Sequence, residues 1–125
     1  MDRPHQASSL SSEAEALIAR ELAARGWTVL ARNARYVGSE LDLVVQKGRT
    51  LAVVEVKARQ NLRTEDVAGL LPRKKLAALR RGALAFVTAT RADVDTIRLD
   101  LALVQKQRGV AGTVHVTYHA GVHWG

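Results

Sequence analysis

The chain has 125 residues, 47% of them hydrophobic and 25% charged, with 19 Lys+Arg against 12 Asp+Glu and a formal charge of +7. This is the composition of one folded, basic domain rather than of a disordered chain. There is no cysteine, which excludes disulfide frameworks, cysteine-zinc sites and thiol nucleophiles. No apolar run reaches the ~18 residues of a membrane span, and Met1–Gln6 lacks the apolar core of a signal peptide, so a cytoplasmic protein is expected.

Residues 1–9 read as a flexible tail and residues 10–125 as a single domain. The first helix is predicted to begin at Ser12, because Ser12 and Glu15 form the S-x-x-E pattern of a capping box. Leu17, Ile18 and Leu22 supply its apolar stripe. Gly26 follows as the left-handed residue that stops it. Trp27–Ala31 reads as a first strand.

Two alternating segments follow, as in half-buried strands. From Ser39 to Gln46 the odd positions Leu41, Leu43 and Val45 are apolar, and Glu40 and Asp42 occupy even positions. From Thr50 to Ala58, the residues Ala52, Val54 and Val56 form one face, and Leu51, Val53, Glu55 and Lys57 form the other. Lys47-Gly48-Arg49 between them is a hairpin turn. Pro72 then opens a second helix whose buried stripe is Leu76, Leu79, Ala83, Phe86 and Val87. Ile97–Val104 alternates again, with Leu99, Leu101 and Leu103 opposite Arg98 and Asp100. Val114, Val116 and Tyr118 mark a last strand. The order predicts an α/β fold, a mixed sheet of about five strands flanked by helices.

Glu40, Asp42, Glu55 and Lys57 are the informative cluster. Side chains two apart on a strand share a face. A register with Gln46 opposite Leu51 sets Asp42 opposite Glu55 and Glu40 opposite Lys57; Gln46 opposite Arg49 would make Asp42 and Glu55 diagonal neighbours. Either way, three carboxylates and an ammonium are expected on one sheet face. Like charges so close repel unless a cation compensates them. An all-oxygen donor set suits Mg²⁺ or Mn²⁺.

Charge is concentrated further along. Between Lys57 and Arg81, eight basic residues face only Glu65 and Asp66, a density that attracts phosphate backbones. Arg59, Arg73, Lys74, Lys75, Arg80 and Arg81 are the expected contacts to nucleic acid. His115, His119 and His123 are spaced by four, but Gly121 and the chain end make a metal site there a weak candidate.

Asp42, followed thirteen positions later by Glu55-Val56-Lys57, matches the PD-(D/E)xK nuclease signature without its proline. Ser39-Glu40-Leu41-Asp42-Leu43-Val44 with Val54-Glu55-Val56-Lys57-Ala58-Arg59 resembles the small bacterial YraN family of endonuclease-like proteins. The resemblance also takes in Glu15, Gly26, Arg32-Asn33, a second-helix lysine and Arg98-Leu99-Asp100. Ala14 and Ser39 stand where that family usually has glycine.

The resemblance implies a restriction-endonuclease-like core. It makes Asp42 and Glu55 metal ligands, adds Glu15 and Glu40 to the acidic set, and makes Lys57 the catalytic lysine. For Glu15 the capping box is an equal alternative, and the helix lysine is either Lys74 or Lys75. The implied activity is Mg²⁺- or Mn²⁺-dependent hydrolysis of DNA, branched forms included, with no small-molecule cofactor and no membrane. A homodimer is compatible with it. The alternative is a non-catalytic nucleic-acid-binding module of nuclease fold within a larger repair, recombination or uptake assembly.

Overall fold

Helix α1 (Gln6–Ala24) begins six residues before the Ser12 expected from the sequence. The computed structural model describes residues 6–60, 69–106 and 114–122. Ser12 therefore lies inside α1, and Glu15 is a mid-helix residue rather than half of a capping box. Local pattern favoured the cap, and the helix instead continues through the small polar residues ahead of it. Of the expected tail, residues 6–9 are helical and residues 1–5 lie outside the described residues. At its other end α1 stops as predicted. Trp27 N–H donates to the Leu22 carbonyl and Gly26 N–H to that of Ala23, with Gly26 at φ +96°, a Schellman closure.

The strands are β1 (Thr28–Tyr36), β2 (Ser39–Lys47), β3 (Thr50–Gln60), β4 (Thr96–Lys106) and β5 (Val114–His119), with α2 (Arg73–Thr90) between β3 and β4. Spatial order follows chain order, β1-β2-β3-β4-β5. The β3–β4 pair is parallel and the others are antiparallel. This is the mixed five-stranded α/β sheet expected from the sequence.

α1 covers one face. Ala14, Ile18 and Leu22 bury against Leu43, Val45, Ala52, Val54, Val56 and Ala102. α2 covers the other, where Leu76, Leu79, Ala83 and Phe86 meet Val44, Leu51, Val53, Leu99 and Leu101. The two faces of β3 are thus the two read from its alternation. Tyr36 closes the α2 side edge-on against Phe86, with ring centroids 5.3 Å apart.

Two features differ from simple alternation, and both shape the site. β1 runs on to Tyr36, five residues past its expected end, and pairs with β2 from Thr28↔Gln46 to Tyr36↔Ser39. Along β2, Leu43 and Val45 lie in the α1 cluster, whereas Leu41 lies in the α2 cluster. Alternation therefore breaks at Asp42. Opposite it on β1, Asn33 adopts φ +52°, and Ala31 and Ala34 both pack on the α2 side. α2 seats closely on this half of the hairpin: a Cβ on the buried Gly82 would come within 3.0 Å of Leu41 Cδ2 and 3.3 Å of the Tyr36 carbonyl oxygen. The far half of the β1–β2 hairpin is turned onto α2, and the sheet divides there.

Candidate metal and nucleic-acid site

The candidate site lies at the fork in the sheet. The β2–β3 ladder runs from Lys47↔Thr50 through Gln46↔Leu51 and stops at Leu43↔Val54. Beyond that point β2 stays with β1 as far as Ser39↔Tyr36, while β3 stays with β4 as far as Gln60↔Lys106. The register is the one that directs Asp42 toward Glu55. A two-residue loop sets it, with Gly48 at φ +60° supplying the left-handed conformation such hairpins require.

Where the backbones part, Asp42 spans the gap: its Oδ2 accepts the Val56 N–H at 2.9 Å. A side chain thus satisfies a donor that no longer has a ladder partner. The resulting cleft measures about 570 Å³. Its walls come from every surrounding element: Ser11, Ser12 and Glu15 from α1, Asn33 from β1, Glu40 and Asp42 from β2, Glu55 to Arg59 from β3, and Lys75 from α2.

The carboxylates here are under electrostatic pressure. Burial, with Glu55 beside it, pushes the Asp42 carboxyl up to about 7, against the Val56 hydrogen bond and Lys57, which favour its charged form. Burial likewise raises Glu15, partly offset by an Asn33 hydrogen bond and by Arg32. Glu55 is 4% exposed. Its Oε2 lies 3.1 Å from Lys57 Nζ and 3.7 Å from Lys75 Nζ, and its Oε1 is buried with no hydrogen-bond partner among the described residues.

Asp42, Glu55, Lys57 and Glu15 therefore meet as the sequence suggested, but not on one flat sheet face. Glu55 and Lys57 stay on the α2 side, Glu15 reaches in from α1, and Asp42 sits at the division between them. Glu40 is exposed, and the break in alternation removes it from its expected place opposite Lys57; it lies near enough to Glu15 to raise it. The helix lysine that joins the cleft is Lys75, while Lys74 is exposed. Periodicity left these two equivalent, and only the seat of α2 separates them.

The expected nucleic-acid contacts divide as well. Arg59 and Lys75 line the cleft, and Arg73 and Lys74 are exposed on the first turn of α2. Arg80 borders a different hollow, with Leu84, Asp95, Ile97, Arg98, Leu99, Gly121 and Val122, and Arg81 is exposed beside it in sequence. His115 and His119 are exposed on β5, and His123 lies outside the described residues.

Arg98 and Asp100 play another part. Asp100 accepts Arg98 Nε and a terminal guanidinium nitrogen at 3.0 Å each, the Tyr118 hydroxyl at 2.6 Å and the Gly121 N–H at 2.9 Å. Arg98 stacks over Trp27, 5.2 Å from the ring centroid. This network ties β4, β5 and the segment after α1 together, away from the fork. Sequence alternation paired Arg98 with Asp100 but held no signal for Tyr118, because that partner is eighteen positions away.

A model described as "Uncharacterised protein family UPF0102" matches residues 14–104, a span that runs from the middle of α1 to β4 and includes both sides of the fork. The chain belongs to the UPF0102 (YraN) family. UPF0102 proteins similar to it include one from Methylorubrum populi, 41% identical over 100 residues that cover 79% of this chain and 77% of that one. Another, from Beutenbergia cavernae, is 36% identical over 91% of this chain and 95% of its own length. A third, from Gloeobacter violaceus, is 38% identical over 100% and 98% respectively. The UPF0102 match thus covers Glu15, Asp42, Glu55, Lys57 and Lys75 together. Among the described residues no helix is long and apolar enough to cross a membrane.

Proposed function

We propose that this UPF0102 protein is a divalent-cation-dependent nuclease that hydrolyses phosphodiester bonds in DNA. One observation carries the reading: Asp42, pressed upward by its surroundings, shares a cleft with a buried Glu55 whose Oε1 lacks any partner, and Lys57 stands beside them. A buried carboxylate oxygen without a donor is costly unless it has a use. The donor set fits Mg²⁺ or Mn²⁺, which take one or two carboxylates and leave their remaining positions to water and substrate phosphate.

Asp42 and Glu55 would hold that ion, which when bound makes water acidic and offsets charge on the phosphoryl group. Lys57, tethered two positions from Glu55, is placed to stabilise negative charge that grows on the phosphate in the transition state. Arg59, Arg73 and Lys74 supply backbone contacts with little base selectivity. The resemblance to endonuclease-like proteins extends the substrates to be tested to branched DNA.

The test is incubation with linear duplex, single-stranded, flapped and four-way-junction DNA in Mg²⁺, Mn²⁺ or EDTA. Cleavage is expected with either metal and not with EDTA. Lys57→Ala should abolish it while DNA affinity stays within about twofold, since one cation among many costs binding little.

A second reading is favoured by a different observation. Among the described residues no three His, Asp or Glu side chains converge into a ready-made metal cage. A nucleic-acid-binding module of nuclease fold, serving a larger assembly, would need none. Wild-type protein that binds Mn²⁺ and DNA but cuts none of the four forms establishes that module and removes the autonomous nuclease.

A further inference from the structure

Glu55 receives two ammonium groups on one oxygen and leaves the other bare. Lys57 Nζ and Lys75 Nζ lie 3.1 and 3.7 Å from Oε2, while Oε1 is buried without a partner. The two lysines are not equivalent. Lys57 belongs to the same strand face as Glu55 and its side chain is 23% exposed, so its position follows from β3 itself. Lys75 comes from a different element, the first turn of α2, and its side chain is 38% exposed with the longer contact. An ammonium on a flexible four-carbon stem, partly in solvent, exchanges partners at little cost.

What holds Lys75 over the cleft is its ion pair with Glu55. Glu55 is also the carboxylate that Asp42 and Glu15 both face across the cleft. A divalent cation on Asp42 and Glu55 would neutralise that carboxylate and repel an ammonium 3.7 Å from it. Lys57, with the shorter contact and the more buried side chain, has less room to withdraw. Lys75 has more, and a phosphate entering the cleft is the anion next to it.

We infer that Lys75 is a positioning residue that exchanges partners, resting on Glu55 when the cleft is empty and moving to a nucleic-acid phosphate once a divalent cation occupies Asp42 and Glu55. The inference rests on the metal and nucleic-acid reading of this cleft and adds its regulation: cation and DNA bind cooperatively. Lys75 weakens cation binding in the absence of DNA and strengthens DNA binding in the presence of the cation. By linkage, each ligand raises the affinity of the other by the same factor.

The experiment measures binding, not turnover. Mn²⁺ affinity is read from the electron paramagnetic resonance of the free ion, with and without a short phosphorothioate duplex that slows cleavage. Duplex affinity is read by fluorescence anisotropy with and without Mn²⁺. For the wild-type chain, each ligand should tighten the other by about tenfold, within the usual range of coupling between sites. In Lys75→Gln, Mn²⁺ alone should bind several-fold more tightly, and the mutual factor should shrink to about twofold. Lys75→Arg, which keeps the charge, should restore most of the coupling.

Lys75→Gln with unchanged Mn²⁺ affinity and an intact mutual factor overturns the inference, whatever happens to its thermal midpoint. Wild-type protein that binds no Mn²⁺ in either condition overturns the underlying reading of the cleft together with it. Coupling that is present in the wild type and kept in Lys75→Gln removes Lys75 alone.

Discussion

Asp100 on β4 and Glu55 on β3 are buried to nearly the same degree, 1% and 4% exposed, and stand one register step apart in a parallel pair, facing opposite sides of the sheet. Asp100 has donors on both oxygens: a two-point contact from Arg98, the Tyr118 hydroxyl and the Gly121 N–H. Its field and burial together hold the Tyr118 hydroxyl well above its ordinary value. Glu55 has two ammonium groups crowded on Oε2 and nothing on Oε1. The first arrangement returns what desolvation costs, through charge-assisted hydrogen bonds of good geometry. The second leaves that cost partly uncompensated, and Asp42 and Glu15 beside it are displaced in the direction that disfavours charge. One carboxylate secures the fold, and the other is the one we propose to hold a cation.

The largest expected effect comes from breaking the satisfied side. Asp100→Ala leaves Arg98 and the Tyr118 hydroxyl without their acceptor and should cost about 3–5 kcal/mol. For a domain of this size that lowers the thermal midpoint by roughly 10 °C or more. Calorimetry would show it, and a midpoint within 2–3 °C of wild type, on the same scale, would mean that the network is ornamental.

Glu55→Gln inverts the pattern. The amide keeps the shape of the cleft, so the midpoint in EDTA should move by only about 1 kcal/mol equivalent. Cleavage should fall by about a hundredfold or more, and Mn²⁺ binding should disappear from calorimetric titration. A Glu55→Gln protein that is as unstable as Asp100→Ala would erase the distinction between the two carboxylates.

A smaller effect sharpens it. The Asp42 carboxyl is raised from an ordinary 3.8 to about 7 in the folded state. The folded chain therefore retains a proton that the unfolded chain has already released. Asp42 contributes its full stability below about pH 4, and loses it as pH rises through about 7. In EDTA, wild-type stability measured by urea unfolding should fall relative to Asp42→Asn across that interval. Curves that stay parallel from pH 4 to 7 would show that the cleft exerts no such pressure.

The smallest prediction is a control away from both carboxylates. Val37 sits at the tip of the β1–β2 hairpin, 66% exposed, at φ +53°, followed by Gly38 at φ +76°. Two positive φ values make a type I′ turn, which disfavours a β-branched residue in its first position. Val37→Asn should raise stability by about 1 kcal/mol and leave Mn²⁺ affinity unchanged. A loss of stability would show that the turn gains something from valine that its exposure does not reveal.

Much of this was legible in local pattern. Alternation over Thr50–Ala58 assigned both faces of β3 because side-chain direction on a strand depends only on parity. The turn at Lys47-Gly48-Arg49 left two registers, both of which bring Asp42 near Glu55, and Gly26 and Pro72 marked helix ends through their own backbone preferences. The spacing from Asp42 to Glu55 and Lys57 was sufficient to name the cluster. Other features depend on contacts between distant segments, which no local period encodes. The seat of Gly82 against Leu41 and Tyr36, the break in alternation at Asp42 and the division of the sheet are such features. That division displaces Glu40, lets Glu15 enter from the opposite face, and selects Lys75 over its neighbour Lys74. Tyr118 reaches Asp100 only because β5 pairs with β4. The sequence by itself determined which residues carry the charge; the packing of α1 and α2 on a forked sheet decided which of those charges meet.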